Sequence, residues 1–479
     1  MARTRPIGAP LLLAVLGLAG CAVGPDFRQP DARAPEAFRG ETARADTSIA
    51  DLAWWDVCTD PALRKLVQTA LQDGFDARIA AARLEQSRAI AAQVHGQLFP
   101  GIGYAANADR GKNALLGNAY TQGGGSTASG FDGYLSAAWE LDLWGRVRRL
   151  DEAARAQYLA SEAGRRGVLL SLTAAVVSDY YQLLELDDEL AIARASTASF
   201  ADSQRLFEQR LQGGVASALE SASAEAAMAT SAARIPDIEA QIAMKENELS
   251  ALVGANPGAV ARGAPLEALA APDPAPAGLP SELLERRPDV REAEEEARAA
   301  NAGIGVTVGG FLPKIGLSAI LGGVSSSLDR ITTHKAGLWS VGANATGPLF
   351  QGGGLTGQYA QAKAAWEEAK LRYQQAALNA FADVANALVT AQKLAERRAE
   401  QEHAVRAYKT AVDLATQRYG AGRASYYEVL QAQQSLFPAE VALAQTKRDQ
   451  FTAVVALYKA LGGGWKLRDV DWTGAAPAR

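Results

Sequence analysis

The sequence predicts a mainly α-helical protomer with a β-barrel portion that one chain cannot close. Each protomer would carry four strands and long coiled-coil helices, laid out as a two-fold internal repeat. Three observations predict this. Two proline-free stretches of about 66 residues are dominated by helix formers. Four segments of about ten residues alternate apolar and polar side chains. Short motifs recur at an offset of about 210 residues.

The bulk properties permit such a chain. Its 479 residues are 48% hydrophobic and 21% charged, so it can bury a substantial core and is not disordered. A net charge of −5 without a basic stripe argues against nucleic-acid binding. Alanine is abundant and aromatics make up only 7%, which favours closely packed helices over a bulky globular core.

The N-terminus reads as an export signal. Arg3 and Arg5 form a positive region, and residues 7–18 form an apolar segment of about 12 residues, too short to span a bilayer. It ends in Leu18-Ala19-Gly20-Cys21, which resembles the lipobox of bacterial lipoproteins. The alternative is an ordinary cleaved signal with a chance cysteine; the small residues before Cys21 favour the lipobox. In such signals the cysteine becomes the acylated first residue, and more than one acyl chain (palmitate is typical) gives stable anchoring. Ala22 follows Cys21, rather than the aspartate that often retains lipoproteins at an inner membrane, so the outer membrane is expected. Only Cys58 remains after processing. It lies in Trp54-Trp55-Asp56-Val57-Cys58, an apolar setting that predicts a buried small hydrophobe rather than a reactive thiol.

The repeat organises the rest. Gln209-Arg210-Leu211-Gln212-Gly213-Gly214-Val215-Ala216-Ser217 matches Gln417-Arg418-Tyr419-Gly420-Ala421-Gly422-Arg423-Ala424-Ser425. Phe99-Pro100-Gly101-Ile102-Gly103-Tyr104 matches Leu312-Pro313-Lys314-Ile315-Gly316-Leu317, and Leu143-Trp144-Gly145 is echoed by Leu349-Phe350-Gln351. The expected divisions are a signal peptide (1–20), an acylated extended segment (21–57), a first repeat (58–255), a Pro/Ala/Gly-rich linker or equatorial segment (256–287), a second repeat (288–463) and a tail (464–479). Each repeat is expected to run helix, strand, strand, very long helix, turn, helix. The long helices cover Arg146–Gln212 and residues 354–419, roughly 100 Å each at 1.5 Å per residue. Leu169, Val176, Leu183 and Leu190 fall at heptad spacing, as do Phe381, Leu388 and Ala395. An ordinary helical bundle would share this periodicity.

The strand candidates separate an apolar face from a polar one. In residues 131–143 one face reads Phe131, Gly133, Leu135, Ala137, Trp139, Leu141, Leu143. In residues 338–349, Trp339, Val341, Ala343 and Ala345 alternate with Ser340, Gly342, Asn344 and Thr346. Ile102, Tyr104, Ala106 and Ala108 alternate with Gly103, Ala105, Asn107 and Asp109, and Ile315, Leu317, Ala319 and Leu321 follow a looser pattern. A soluble sheet with one buried face alternates in the same way; the export signal and the long helices favour a barrel with lipid outside and water inside. Four strands cannot enclose a pore, and an open edge is not tolerated in lipid. Three copies would supply twelve strands, so oligomerisation follows from the barrel reading. Polar hairpin loops at 111–130 and 322–336 would then face outside the cell.

With these elements placed, the chain resembles the TolC/OprM/NodT class of outer membrane factors over nearly its whole mature length. The resemblance rests on Cys21-Ala22-Val23-Gly24-Pro25-Asp26-Phe27 and on Asp60-Pro61-Ala62-Leu63 after the Trp54-Trp55 pair. Its most diagnostic segment is Leu279-Pro280-Ser281-Glu282-Leu283-Leu284-Glu285-Arg286-Arg287-Pro288-Asp289-Val290. Tyr419-Gly420-Ala421-Gly422 with Glu428-Val429-Leu430 resembles the family's second hairpin tip. Cys58 departs from the pattern, where a larger apolar residue is expected. The resemblance implies a TolC-like homotrimer with its barrel in the outer membrane lipid and a helical tunnel in the periplasm. It also implies a tip docked on a periplasmic adaptor (membrane fusion protein) and an inner-membrane transporter, commonly of the resistance–nodulation–division class. No cofactor or metal is implied. Tyr419, Glu428 and Gln431 match the family's tyrosine and paired aspartates at the periplasmic gate; Gln431 replaces one acid by a neutral amide. Three Glu428 carboxylates in one ring could select cations, while the alternative is a solvated helix face. Gly213 and Gly214, like Gly420-Ala421-Gly422, suit tight helical hairpins. Val215, Ala216, Ser217, Arg423, Ala424 and Ser425 flank them as adaptor contacts, or as plain turn residues.

No catalytic set is visible, so an enzyme is not expected. His95, His334 and His403 are far apart without metal-ligand spacing, and no phosphate loop or Gly-x-Ser-x-Gly elbow occurs. Glu294-Glu295-Glu296 reads as a solvated helix face. A lipid-anchored periplasmic coiled-coil adaptor or scaffold would share the helices but has no reason for four lipid-matched strands. A cell-wall hydrolase would need the missing catalytic groups.

Overall fold

The computed structural model describes residues 22–40, 48–112, 127–270, 276–468 and 471–472. The expected signal peptide, the lipidation residue Cys21 and residues 113–126 of the first predicted loop lie outside the described residues, as do parts of 256–287 and of 464–479.

The first half of the chain runs α1 (Trp54–Val57), α2 (Pro61–Asp73), α3 (Phe75–His95), β1 (Gly101–Lys112), β2 (Thr127–Leu141), α4 (Arg146–Gln212), α5 (Ala218–Ala232) and α6 (Arg234–Leu252). The second half runs α7 (Pro280–Arg286), α8 (Pro288–Gly309), β3 (Lys314–Ser325), β4 (Gly337–Thr346), α9 (Gly354–Gly420) and α10 (Tyr426–Ala460). Helices α4 and α9 are 67 residues each. Proline opens α2, α7 and α8, where its missing N–H goes unused and its fixed φ suits a first helical turn. The halves differ after the long helix. The first return stroke is two helices, not the single helix expected, because Pro236 cannot donate to the Ala232 carbonyl and the helix breaks at Ala233. The second return stroke stays helical through Pro438.

Two compact units each draw on both halves. One gathers the chain up to Pro30, Leu84–Ser161 and Ala293–Tyr373; the other gathers Asp31–Arg83, Glu162–Glu292 and Gln374–Arg479. The first unit holds the sheet, a four-stranded antiparallel meander in the order β1-β2-β3-β4. Its register aligns the apolar sets of all four strands. Tyr104 pairs with Leu135, Leu135 with Leu321, and Leu321 with Trp339. One row down, Ile102, Ala137, Ala319 and Val341 face one another in the same way. The opposite face carries Asn107, Asp132, Ser136, Ser318 and Asn344, with the Asn107 amide donating to Asp132 at 2.8 Å. Along these two rows the apolar face is open: Tyr104 is 87% exposed, and Trp339 and Val341 are 73% exposed.

Strand ends depart from expectation. Gly111 and Lys112 pair with Ala128 and Thr127, so the strands continue into residues expected to be loop; backbone pairing does not need side-chain alternation. The second connection likewise begins only after Ser325. β2 stops at Leu141 rather than Leu143 because Asp142 turns away, its carboxylate accepting the N–H groups of Val147 and Arg148 at the start of α4. β4 stops at Thr346, before Pro348, which has no N–H for a ladder, and Leu349 and Phe350 project fully exposed.

The N-terminal strap is fastened in this unit. The Val23 N–H donates to the Trp144 carbonyl at 2.8 Å, Arg149 holds Asp26 at 2.7 Å, and Asn301 donates to the Pro25 carbonyl at 2.9 Å. Gly145 has φ +78 and no space for a Cβ because Ala22 packs against it.

The second unit is helical. Leu169, Val176 and Leu183 of α4 are buried as the heptads predict, and Leu190 is half-buried. In α9 the expected seam holds in part: Phe381 is buried and Leu388 half-buried, but Ala395 is exposed with its neighbour Leu394 buried instead, and Ala377, Ala380, Val384 and Ala387 are buried beside the expected positions. The buried stripe is broader than one residue per heptad, and alanines fill part of it where neighbouring helices come close. Asp60 caps α2, accepting from Ala62 N–H at 2.8 Å, and also accepts the Tyr180 hydroxyl at 2.7 Å. That hydroxyl accepts the Gly263 N–H at 2.8 Å, at a point where a Cβ would collide with the Asp60 carboxylate. In the Arg286-Arg287-Pro288-Asp289 segment, buried Arg287 bonds Asp289, Asp383 at 2.8 Å and the Ala460 carbonyl, which ties the linker to α9 and α10. Cys58 is buried, and burial pushes its thiol up to about 12, so it behaves as a small hydrophobe.

Candidate gate at the helical hairpin tips

Both long helices end in the same backbone turn. In the first, the Val215 N–H donates to the Arg210 carbonyl at 2.9 Å and Gly214 takes φ +72. In the second, the Arg423 N–H donates to the Arg418 carbonyl at 2.8 Å and Gly422 takes φ +70. This is the Schellman closure, in which a left-handed glycine lets the chain satisfy the last carbonyls of the helix and reverse. Gly213 and Gly214 therefore sit where the repeat predicted a turn, as do Gly420 and Gly422.

The return helices start differently. Ser217 caps α5 with a complete capping box: its hydroxyl accepts the Glu220 N–H, and the Glu220 carboxylate accepts the Ser217 N–H at 2.8 Å. Ser425 and Glu428 have the same spacing, yet Ser425 makes no side-chain cap. Glu428 instead turns to Arg418, with its carboxylate 3.4 Å from the guanidinium.

An aromatic cluster joins the two tips. Phe207 from α4 lies against Tyr426 of α10 with ring centroids 4.0 Å apart and against Tyr419 at 5.8 Å. Phe207, Ala224, Tyr426 and Val429 are buried together. Arg210 of the first tip sits over the Tyr419 ring, 4.9 Å from its centroid, and donates to the Tyr419 hydroxyl. Burial raises the Tyr426 phenol above its ordinary pKa, so it stays neutral. The structure thus brings Tyr419 into the junction between tips, half-buried. Glu428 and Gln431, three residues apart on α10, share an exposed helix face.

Of the expected adaptor contacts, Gly213, Gly214, Val215, Ser217, Gly422, Arg423 and Ser425 are all exposed, and Ala216 and Ala424 are half-buried. Sequence reasoning missed Phe207, Arg210, Arg418 and Tyr426, which hold the tips together. It also missed Leu219 and Tyr427, which stand exposed four residues after Val215 and directly before Glu428. The repeat alignment carried a usable signal: Tyr426 falls opposite Ala218, so an aromatic at one tip alone marks an asymmetric contact.

The same two helices share a buried acid. Glu185 of α4 is 2% exposed and accepts from Arg448 of α10 at 3.2 Å. Burial, with Glu189 beside it, raises Glu185 to about 8 against the pull of Arg448. Asp188 is raised to about 6, again mainly by burial, with Glu267 adding.

Comparison with known proteins meets this geometry. The family model described as outer membrane efflux protein matches residues 66–255 and 279–463. The solvent efflux pump outer membrane protein SrpC of Pseudomonas putida is 33% identical over 409 residues, covering 85% of this chain and 86% of that protein. The solved outer-membrane channel OprN superposes with a TM-score of 0.85 at 32% identity, covering 93% of this chain and 100% of that one. The open state of the MtrE outer membrane channel of Neisseria gonorrhoeae gives 0.83 at 30% identity, covering 93% and 99%.

Proposed function

The chain belongs to the outer membrane efflux protein family, and on that premise we propose that three copies close their sheets into one twelve-stranded barrel and serve as the exit duct of a tripartite pump. The family is one of efflux ducts rather than an enzyme class. The observation that carries the reading is the sheet itself. It presents an apolar face in register across all four strands, exposed from the Tyr104–Leu135–Leu321–Trp339 row toward the helices, with a more polar face behind it and β1 and β4 as its edges. Lipid is the solvent that suits such a face, and copies of the same chain are what complete such edges.

In this reading the helices form the periplasmic duct. The tips meet a periplasmic adaptor through Val215, Ser217, Arg423 and Ser425, and an inner-membrane transporter of the resistance–nodulation–division class supplies the energy. Tyr419, Glu428 and Gln431 constrict the tip, with one acid per chain rather than two. Cys21 carries the acyl anchor. Its neighbour Ala22 packs on Gly145, at the junction of β2 and α4, which suits lipid insertion beside the base of the sheet.

Planar-bilayer recording of the purified full-length chain tests the duct: heat-resistant trimers that conduct ions are expected, and a non-conducting monomer sinks it. Glu428→Ala is expected to change cation selectivity or antibiotic leakage. Unchanged conductance and leakage would remove Glu428 from the gate.

A further inference from the structure

The sheet ends differently at its two extremities. At the end that joins the helices, the arginines are neutralised within the chain, with only Lys314 among the described residues of the strands exposed and unpaired there: Arg146 pairs with Glu140 at 2.8 Å, Arg148 with Asp142 at 3.3 Å and Arg149 with Asp26 at 2.7 Å. At the far end the cations stand alone. Arg110, Arg330 and Lys335 are exposed, and among the described residues none has a carboxylate within ion-pair distance. The first connection, residues 111–130, contains Lys112 and no acid; the second contains Asp329 as its single acid.

These cations lie on the apolar side. Arg110 follows Tyr104, Ala106 and Ala108 at two-residue spacing, so it belongs to the apolar set of β1. The second connection folds back over the same face. Gly133, Gly323 and Gly337 stand in one cross-strand row of that set and form a shelf without side chains. A Cβ at Gly323 would lie 2.3 Å from the Ile331 carbonyl oxygen, one at Gly133 would touch the Ile331 side chain at 3.7 Å, and one at Gly337 would meet the His334 carbonyl at 3.2 Å. The glycine row thus seats the segment that carries Arg330, His334 and Lys335 against the outward face rather than over the polar one.

We propose that this shelf and Arg110 form a docking surface for the phosphorylated glycolipid of the outer leaflet. The phosphates would bind Arg110, Arg330 and Lys335, and the acyl chains would lie along the exposed Tyr104, Leu321 and Trp339. The inference rests on the lipid-facing assignment of the apolar face made above. An apolar wall that ends in unpaired cations fits an amphiphile with tails below and anionic charge above, whereas free phosphate would have no use for the wall.

The test uses the purified full-length chain in phosphatidylcholine nanodiscs, with lipid uptake read by native mass spectrometry. The probes are bis-phosphorylated lipid A, dephosphorylated lipid A, phosphatidylglycerol and inorganic phosphate. Preference for the bis-phosphorylated form is expected to be at least about tenfold, and R110Q/R330Q/K335Q is expected to lose it, since each of the three cations adds attraction to an anionic headgroup. The variant should keep its heat-resistant oligomer and its conductance. Equal uptake of both lipid A forms, equal uptake of phosphatidylglycerol, displacement by inorganic phosphate, or an unaltered variant would each overturn the proposal. A chain that conducts but ignores lipid A sinks this inference alone; a chain that never inserts sinks the duct as well.

Discussion

The two hairpin tips share a backbone and differ in what their acids do. Both close on an arginine carbonyl, both use a left-handed glycine, and both restart with serine followed three residues later by glutamate. At the first tip Glu220 is consumed by the capping box with Ser217. At the second the box is unmade and Glu428 reaches sideways to Arg418. A motif duplicated in sequence has thus become a structural cap in one copy and half of an exposed ion pair with Arg418 in the other. The difference follows from the neighbours: Tyr426, directly after Ser425, is drawn into the Phe207 cluster, while Ala218 after Ser217 has no such contact.

The largest expected effect comes from breaking the contact that makes the tips unequal. Phe207 is fully buried between them, so Phe207→Ala should cost about 3–5 kcal/mol of stability in the helical unit and free the second tip. Thermal melting together with antibiotic leakage in cells would measure both. A variant that melts like the parent would mean the cluster does not hold the tips.

A pH titration sharpens the comparison on the two helices that carry the tips. Glu185 of α4, facing α10, is raised to about 8 when folded, above the usual range near 4.5 of an unfolded glutamate. The folded state therefore favours the protonated form. Its stabilisation is fully present below about 4.5 and is lost as pH rises through about 8. The chain should melt at a higher temperature at pH 5.5 than at pH 8.5, and Glu185→Gln should flatten that slope. A slope unaffected by the substitution would assign the dependence to other groups.

The smallest effect tests the caps directly. Ser217→Ala should cost about 1 kcal/mol, and Ser425→Ala close to nothing, because only the first serine makes its bond. Equal losses in chemical denaturation would mean that the two tips are capped alike in solution.

Much of this was legible before any coordinates. Proline-free runs of helix formers marked α4 and α9 nearly to the residue, because helix length depends on local propensity and on the glycines that stop it. Alternation placed all four strands and sorted their faces, since a strand's side chains must point to opposite sides. The duplicated turn motif located both tips. The heptad spacing in α9 finds buried Phe381 and half-buried Leu388 but ends on exposed Ala395 beside buried Leu394, because a strict seven-residue repeat drifts around a helix of 3.6 residues per turn. The ends of β2 and β4 were set by Asp142 and Pro348, whose effects are not periodic.

Local order and the surface pattern, then, were determined by the sequence alone: periodicity, glycine and proline act over a few residues and can be read wherever they occur. Only the tertiary structure decided which partner each exposed or charged group takes. It brought Arg210 onto Tyr419 across about 200 residues of chain, turned Glu428 to Arg418 while Glu220 closed a cap, and laid the segment around Ile331 on a glycine row contributed by three strands. Those choices depend on distances between elements far apart in sequence, and no local pattern encodes such a distance.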